Sequence, residues 1–213
     1  MNLKYYYYYF HSVISDKLCD DIIKYCSHSL ETAKIGGKNE ESDEPDKWWV
    51  EGKEVEKKRK SKVAFFDDRW IYKEIQPYVM LANQHAGWNF DWNWTEQAQF
   101  TKYGLNEHYG WHCDSYSEPY RDVPQGMVGK IRKLSVTVSL SNPEDYEGGD
   151  LEFDFRNNHD YEFSKSENKE ICTKARARGS VIIFPSFVWH RVTPVTKGTR
   201  YSMVMWNLGA PWR

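Results

Sequence analysis

The sequence predicts an α+β fold in which N-terminal helices buttress a double sheet of sandwich or jelly-roll type. Three observations carry that expectation. Apolar residues recur at helical spacing near the N-terminus, and after Trp88 the pattern changes to short β-branched and aromatic segments parted by Gly, Asn, Asp and Pro. The third is an aromatic load of 10 Trp and 15 Tyr in 213 residues, which suits a β-rich core or an aromatic-lined groove.

Taken in order, Ser15 to Ser29 reads as an amphipathic helix. Ser15 is a suitable N-cap, and Leu18, Ile22, Ile23 and Cys26 fall on one face. Tyr72 to His85 reads as a second helix. Between them, Gly36 to Lys62 carries an acidic cluster (Glu40, Glu41, Asp43, Glu44, Asp46) and a basic one (Lys57, Lys58, Arg59, Lys60, Lys62) around Trp48 and Trp49. Charge blocks of this kind usually form solvated loops; a flap that folds over a bound substrate is the sharper alternative. Strands are expected at Trp92–Tyr103, His108–Cys113, Ile131–Ser141, Asp150–Phe155, Ser180–Phe184, Trp189–Val192 and Arg200–Leu208. Helices before strands, with no internal repeat, give one domain over residues 1–213: helical support over about 1–90 and a β core over about 91–213.

Composition narrows the function classes. Hydrophobic residues at 40%, charged residues at 28% and a net charge of -2 exclude a disordered chain and give no electrostatic footprint for a nucleic-acid backbone. No apolar run reaches the ~20 residues a membrane-spanning helix needs, and the tyrosine run Tyr5 to Tyr9 is unlike a secretory leader. Cys19, Cys26, Cys113 and Cys172 form no CxxC pair or zinc-ribbon spacing. A soluble, cytoplasmic protein with reduced thiols is expected. Nothing in the sequence specifies an oligomeric state.

The chemistry is expected around Tyr109-Gly110-Trp111-His112-Cys113-Asp114. In a strand, residues two apart point to one face, so His112 and Asp114 aim at a common point. Two ligands hold a divalent metal weakly, and His190, in the apolar strand context Val188-Trp189-His190-Arg191-Val192, is the best third. Two histidines and one carboxylate on one face of a metal leave the remaining positions open, the facial arrangement of non-haem Fe(II) oxygenases. Arg200 lies ten residues beyond His190. A buried guanidinium beside the metal is costly unless it meets an anion, and arginine grips a carboxylate through two parallel hydrogen bonds. His108 precedes His112 by four, but Gly104 and Gly110 favour strand and turn over a zinc-binding helix; by parity His108 faces the side of His112. Arg191 points away from His190.

From about Gln97 onward the chain resembles the Fe(II)/2-oxoglutarate-dependent oxygenases, specifically the prolyl 4-hydroxylase-like branch. The resemblance rests on Tyr103-Gly104, Tyr109-x-x-His112-x-Asp114, the stretch Lys133 to Ser141, Glu147-Gly148-Gly149-Asp150-Leu151-Glu152-Phe153, and Arg178-Gly179-Ser180 to Ser186 continuing through His190 to Arg200-Tyr201. It implies a double-stranded β-helix (jelly roll) in which His112, Asp114 and His190 ligate Fe(II). It further implies that Arg200 holds the C5 carboxylate of 2-oxoglutarate and that the hydroxyl of Tyr103 hydrogen-bonds this co-substrate. Trp206 matches an aromatic near the pocket, with plain core filling as the alternative. Thr137 and Ser139 share a face and are expected to line the pocket, although some relatives carry a tyrosine where Ser139 stands. The implied reaction consumes O2 and 2-oxoglutarate, yields succinate and CO2, and hydroxylates an aliphatic C–H; ascorbate is the accompanying reductant.

A prolyl residue in a peptide or protein is the first substrate expectation, resting on the resemblance alone; a free amino acid or other small molecule is the second. The loops 36–62 and 115–130 are expected at the rim, with Tyr116, Tyr120 and Arg121 as peptide-contacting candidates, and 156–174 as a further flap or mere decoration. Nucleic-acid dealkylases share the triad but carry a second arginine where this chain has Trp206. A non-catalytic, cupin-like metal-binding module is the alternative of a different class; it would have no use for Tyr103 and Arg200.

Overall fold

In a computed structural model, residues 4–36, 49–50, 58–115, 118–155 and 168–212 are described, with 35–36 and 49–50 as backbone only. The chain runs β1 (Tyr8–Phe10), α1 (Asp16–Cys26), β2 (Glu31–Thr32), β3 (Ile35–Gly36), β4 (Trp49–Val50), β5 (Arg59–Lys60), β6 (Lys62–Phe66), α2 (Arg69–His85), β7 (Trp94–Thr95), β8 (Ala98–Tyr103) and β9 (His108–His112). It continues with β10 (Ile131–Ser139), β11 (Tyr146–Gly148), β12 (Leu151–Asp154), β13 (Lys169–Ile171), β14 (Val181–Pro185), β15 (Trp189–Val192), β16 (Val195–Gly198) and β17 (Arg200–Gly209).

The helices form where their spacing places them. Ser15 caps α1 by accepting the Leu18 N–H at 3.3 Å, and Cys19, Ile22 and Cys26 are its buried stripe. α2 starts three residues ahead of expectation, at Arg69, and buries Ile71, Ile75, Val79 and Ala82. Both stripes join one core with Phe100, Val136, Val138, Val181, Ile183, Met203 and Met205. Those strand residues alternate with others that face away from the helices, the period of two expected of a sheet covered on both sides.

Among the described residues, the large sheet has eight strands, ordered β1-β14-β10-β17-β8-β6-β2 with β7 beside β17. A five-stranded sheet, β13-β12-β15-β9-β5, lies opposite, and its inner residues Leu151 and Phe153 pack against Ile182 and Phe184 of β14. The jelly-roll core is therefore present. Its N-terminal support is not purely helical, however. β1 adds to β14, β6 to β8 and β5 to β9, so residues ahead of 90 extend both sheets. The tyrosine run forms one of these edges: Tyr8 and Tyr9 pair with Ile183 and Ile182, and Tyr7 stacks on Phe153.

The expected loop Gly36–Lys62 is likewise part sheet. Arg59 and Lys60 pair with Tyr109 and His108, and after Ser61 the chain passes to the large sheet, where Lys62 pairs with Lys102. Gly110 permits this docking, since a Cβ there would sit 3.1 Å from the Lys58 carbonyl oxygen. The acidic cluster, Trp48, the side chain of Trp49, Tyr116 and residues 156–167 of the expected further flap lie outside the described residues.

Candidate active site

His112 ends β9 and pairs directly with His190 on β15, so the two imidazoles start from adjacent strands. Asp114 follows two residues on, its N–H donating to the Ser186 carbonyl at 2.9 Å. All three side chains are buried, and one potential ligand atom from each lies within 4.8 Å of the others. Nδ1 of His112 is 2.8 Å from the Gly110 carbonyl oxygen, and Nδ1 of His190 is 3.0 Å from that of Val188. A carbonyl oxygen only accepts, so each Nδ1 carries a proton and each Nε2 is left facing the other two side chains. The two Nε2 atoms converge on Asp114, at 3.7 Å from Oδ1 and 3.6 Å from Oδ2. Oδ2 also accepts the Ser135 hydroxyl at 2.6 Å.

Charge state follows from the surroundings. Burial, with His190 acting in the same direction, holds His112 well below the ordinary imidazole value, so it is neutral near pH 7. Burial alone would raise the Asp114 carboxyl, but His190, His112, Arg132 and the Ser135 hydrogen bond outweigh it and keep the group ionised. Two imidazoles and one carboxylate converging on one point suit a divalent first-row metal, and the Nδ1–carbonyl bonds are the outer support such ligands use. The donor set fits Fe(II).

The triad lines a cavity of about 240 Å³ between the two sheets. On its far wall, Arg200 opens β17 directly opposite Tyr103 on β8, with its guanidinium 5.5 Å from the tyrosine ring centre. Both are buried. Gly149, at φ +62°, leaves room for the arginine stem; a Cβ there would lie 3.0 Å from Cδ. Burial raises the Tyr103 hydroxyl above its ordinary value, against the pull of Arg59 and Arg200, so it stays protonated and able to donate. Thr137 and Trp206 line the same cavity. Arg132 lies 3.9 Å over the Trp206 ring and is held by Glu96 through two hydrogen bonds, at 2.7 and 2.6 Å.

One expectation needs correction. Ser139 faces inward as parity requires but is not part of the cavity wall; its hydroxyl donates to the Ala175 carbonyl at the far end of β10. Tyr120 donates to Glu96 at 3.0 Å and Arg121 pairs with the exposed Glu118 at 3.3 Å, both outside the cavity wall, as a place at the rim allows. His108 lies 3.4 Å from the Asn106 carbonyl oxygen, also outside the cavity wall. Arg191 turns away as expected and binds Glu152 at 2.7 Å.

Sequence reasoning missed Arg59, which is 7% exposed and lines the cavity. Its guanidinium lies 4.5 Å over the Tyr109 ring, and that ring stacks on His112 with centroids 3.6 Å apart. The visible signal was the phase of the segment: Arg59 and Ser61 share one side of a short alternating run, as the Arg59 Nε–Ser61 Oγ hydrogen bond at 3.1 Å now shows.

A jelly roll with two histidines and a carboxylate converging between its sheets is the architecture of a mononuclear non-haem metal enzyme. The chain belongs to the 2OG-Fe(II) oxygenase superfamily, whose model matches residues 98–207. It is 36% identical over 107 residues to a PKHD-type hydroxylase of Psychrobacter sp. (strain PRwf-1), and 35% over 107 residues to one of Janthinobacterium sp. (strain Marseille). Each match covers 50% of this chain but only 36% and 41% of the relatives' own lengths. Among solved structures, the fold resembles the viral collagen prolyl hydroxylase of Paramecium Bursaria Chlorella virus-1 in its 2OG complex, with TM-score 0.63, 17% identity, and 97% and 98% of the two chains covered. It also resembles a prolyl hydroxylase from Trichoplax adhaerens in complex with a hypoxia inducible factor peptide fragment, with TM-score 0.60, 16% identity, and 96% and 84% covered.

Proposed function

We propose that this chain is one oxygenase domain that uses Fe(II), 2-oxoglutarate and O2 to hydroxylate an aliphatic C–H, with a prolyl residue of a peptide or protein as substrate. The observation that carries the reading is the convergence of His112, Asp114 and His190 within 4.8 Å, with both Nδ1 atoms committed to backbone carbonyls. Those three would hold the metal. When bound, the iron and its co-substrate supply oxidative decarboxylation to succinate and CO2 coupled to C–H hydroxylation.

The chain's own residues bind and orient. Arg200 offers a cationic fork for the far carboxylate of 2-oxoglutarate, and the Tyr103 hydroxyl, kept protonated, donates beside it. Thr137 adds a hydroxyl to the wall, and the Trp206 ring offers a flat apolar face suited to a pyrrolidine ring. Phe184, Leu151 and Val192 line the cavity and limit water around the metal ligands.

The named complexes support a peptide substrate by analogy: the Trichoplax adhaerens neighbour holds a peptide fragment. Four free cysteines support a reducing, cytoplasmic setting, and among the described residues no helix is long and apolar enough to cross a membrane. Mixing the protein anaerobically with Fe(II) and 2-oxoglutarate tests the assignment. A visible charge-transfer band is expected that disappears in His190→Ala and needs far more co-substrate in Arg200→Ala. A folded, iron-loaded protein with no band would leave a metal-binding module without oxygenase chemistry.

A further inference from the structure

Among the buried residues that line the cavity there is one cation more than the metal and co-substrate require; Lys34, also in the lining, is exposed. Arg132 is matched by Glu96. With iron and 2-oxoglutarate in place, the charges of Fe(II) and Arg200 are balanced by Asp114 and the two carboxylates of the co-substrate. Arg59 remains. No described carboxylate pairs with it, and its Nη2 is buried with no hydrogen-bond partner among the described residues. A buried guanidinium in that condition carries a desolvation cost that an anion would offset.

Its position separates it from the co-substrate clamp. Arg200 and Tyr103 face each other on β17 and β8 of the large sheet, whereas Arg59 sits on β5 at the edge of the smaller one. It stands over the Tyr109 ring, which stacks on His112, so the guanidinium stands one aromatic ring from a metal-ligating imidazole. Nε is tied to Ser61, which leaves the Nη groups to donate elsewhere.

We infer that Arg59 is the anchor for a carboxylate carried by the substrate itself, placed beside the carbon that is oxidised. The carboxylate is either the terminal one of a free or C-terminal residue or the side chain of an acidic residue adjoining the oxidised ring. This rests on the oxygenase reading and narrows its substrate class to anionic molecules. A charge-assisted, two-pronged contact of this kind discriminates an acid from its amide by about tenfold or more.

The test uses two pairs of probes that differ only in charge: N-acetyl-L-proline against N-acetyl-L-prolinamide, and capped Pro-Asp against capped Pro-Asn. Each is titrated calorimetrically, without oxygen, into the full chain loaded with Fe(II) and 2-oxoglutarate. The acid of one pair is expected to bind about tenfold or more tightly than its amide, and which pair shows it tells a terminal carboxylate from a side-chain one. In Arg59→Gln that preference disappears, while the 2-oxoglutarate concentration needed for the charge-transfer band moves by less than about twofold. Arg59→Lys should restore part of the preference, guarding against a merely misfolded wall. Equal binding within both pairs, or no binding of any probe, overturns the inference. So does an Arg59→Gln protein that needs far more 2-oxoglutarate and keeps its acid–amide ratio, which would make Arg59 a second clamp for the co-substrate. Absence of the band in the parent protein would instead sink the oxygenase reading.

Discussion

The Ser135 hydroxyl donates to Oδ2 of Asp114 at 2.6 Å and shares a hydrogen bond with the Ser186 hydroxyl at 2.9 Å. Asp114 lies just beyond its strand, where backbone pairing no longer fixes it, so these contacts together with the Ser186 carbonyl hold its carboxylate toward both imidazoles. Ser135→Ala should therefore weaken Fe(II) binding by about tenfold or more with the fold intact. Metal titration alongside a thermal melt checks this; an unchanged affinity would show that the serine merely fills space.

Arg200→Lys and Arg200→Ala should separate charge from geometry. Lysine keeps a cation but loses the fork, so the half-saturating 2-oxoglutarate concentration should rise by about tenfold, and alanine should raise it further. Titrating the anaerobic charge-transfer band reads both. If lysine equals the parent, two-pronged binding is not what Arg200 contributes.

Glu96 and Arg132 are tied by two short hydrogen bonds beneath Trp206, with side chains only 12% and 15% exposed. Glu96→Ala removes the carboxylate that both hydrogen bonds engage and should cost about 3 kcal/mol of stability. Urea unfolding of the single variant, and of Glu96→Leu with Arg132→Met, checks the assignment. The double variant should recover most of the loss, because replacing both partners leaves no unpaired charge.

Acid should destabilise the metal-free protein. The folded pKa of His112 lies below its ordinary value of 6.5, so below that value the unfolded chain binds a proton that the folded chain resists. Stability is then full above the ordinary imidazole pKa and falls as pH drops through it. Asp114 acts in the same sense at lower pH, since its folded pKa also lies below its ordinary 3.8. The loss from His112 cannot exceed about 1.4 kcal/mol per pH unit. Denaturant midpoints measured from about pH 7.5 to 5 should slope less in His112→Gln, and equal slopes would show that other groups dominate.

The parts legible in the sequence were those that a local pattern dictates. α1 follows from Ser15 and its apolar stripe, and β9, β10, β15 and β17 follow from runs that alternate or stay apolar. The pairing of His112 with His190 was reachable because both ligands sit on such strands. The shortest strands were not. β5 and β13 have too few residues for any period to show, and they form only because a neighbouring edge offers unpaired N–H and C=O groups. Arg59 was harder to see: in a run of basic residues its local mark is only the two-residue phase it shares with Ser61. Ser139 shows the converse limit, since parity gives the face of a strand but not how far along it the cavity reaches.

The wall bearing Arg59 comes from β5, ahead of the stretch from 98 to 207 that matches the superfamily. The proposed metal ligands and the proposed co-substrate clamp all fall inside that stretch. The corner that carries this wall is tied to that stretch twice, by β5 on β9 (Arg59 with Tyr109, Lys60 with His108) and by β6 on β8. The residues proposed for reactivity and the one proposed for recognition thus lie on separate pieces of chain. A graft of another oxygenase's β5–β6 corner onto this core could change what is oxidised without touching how.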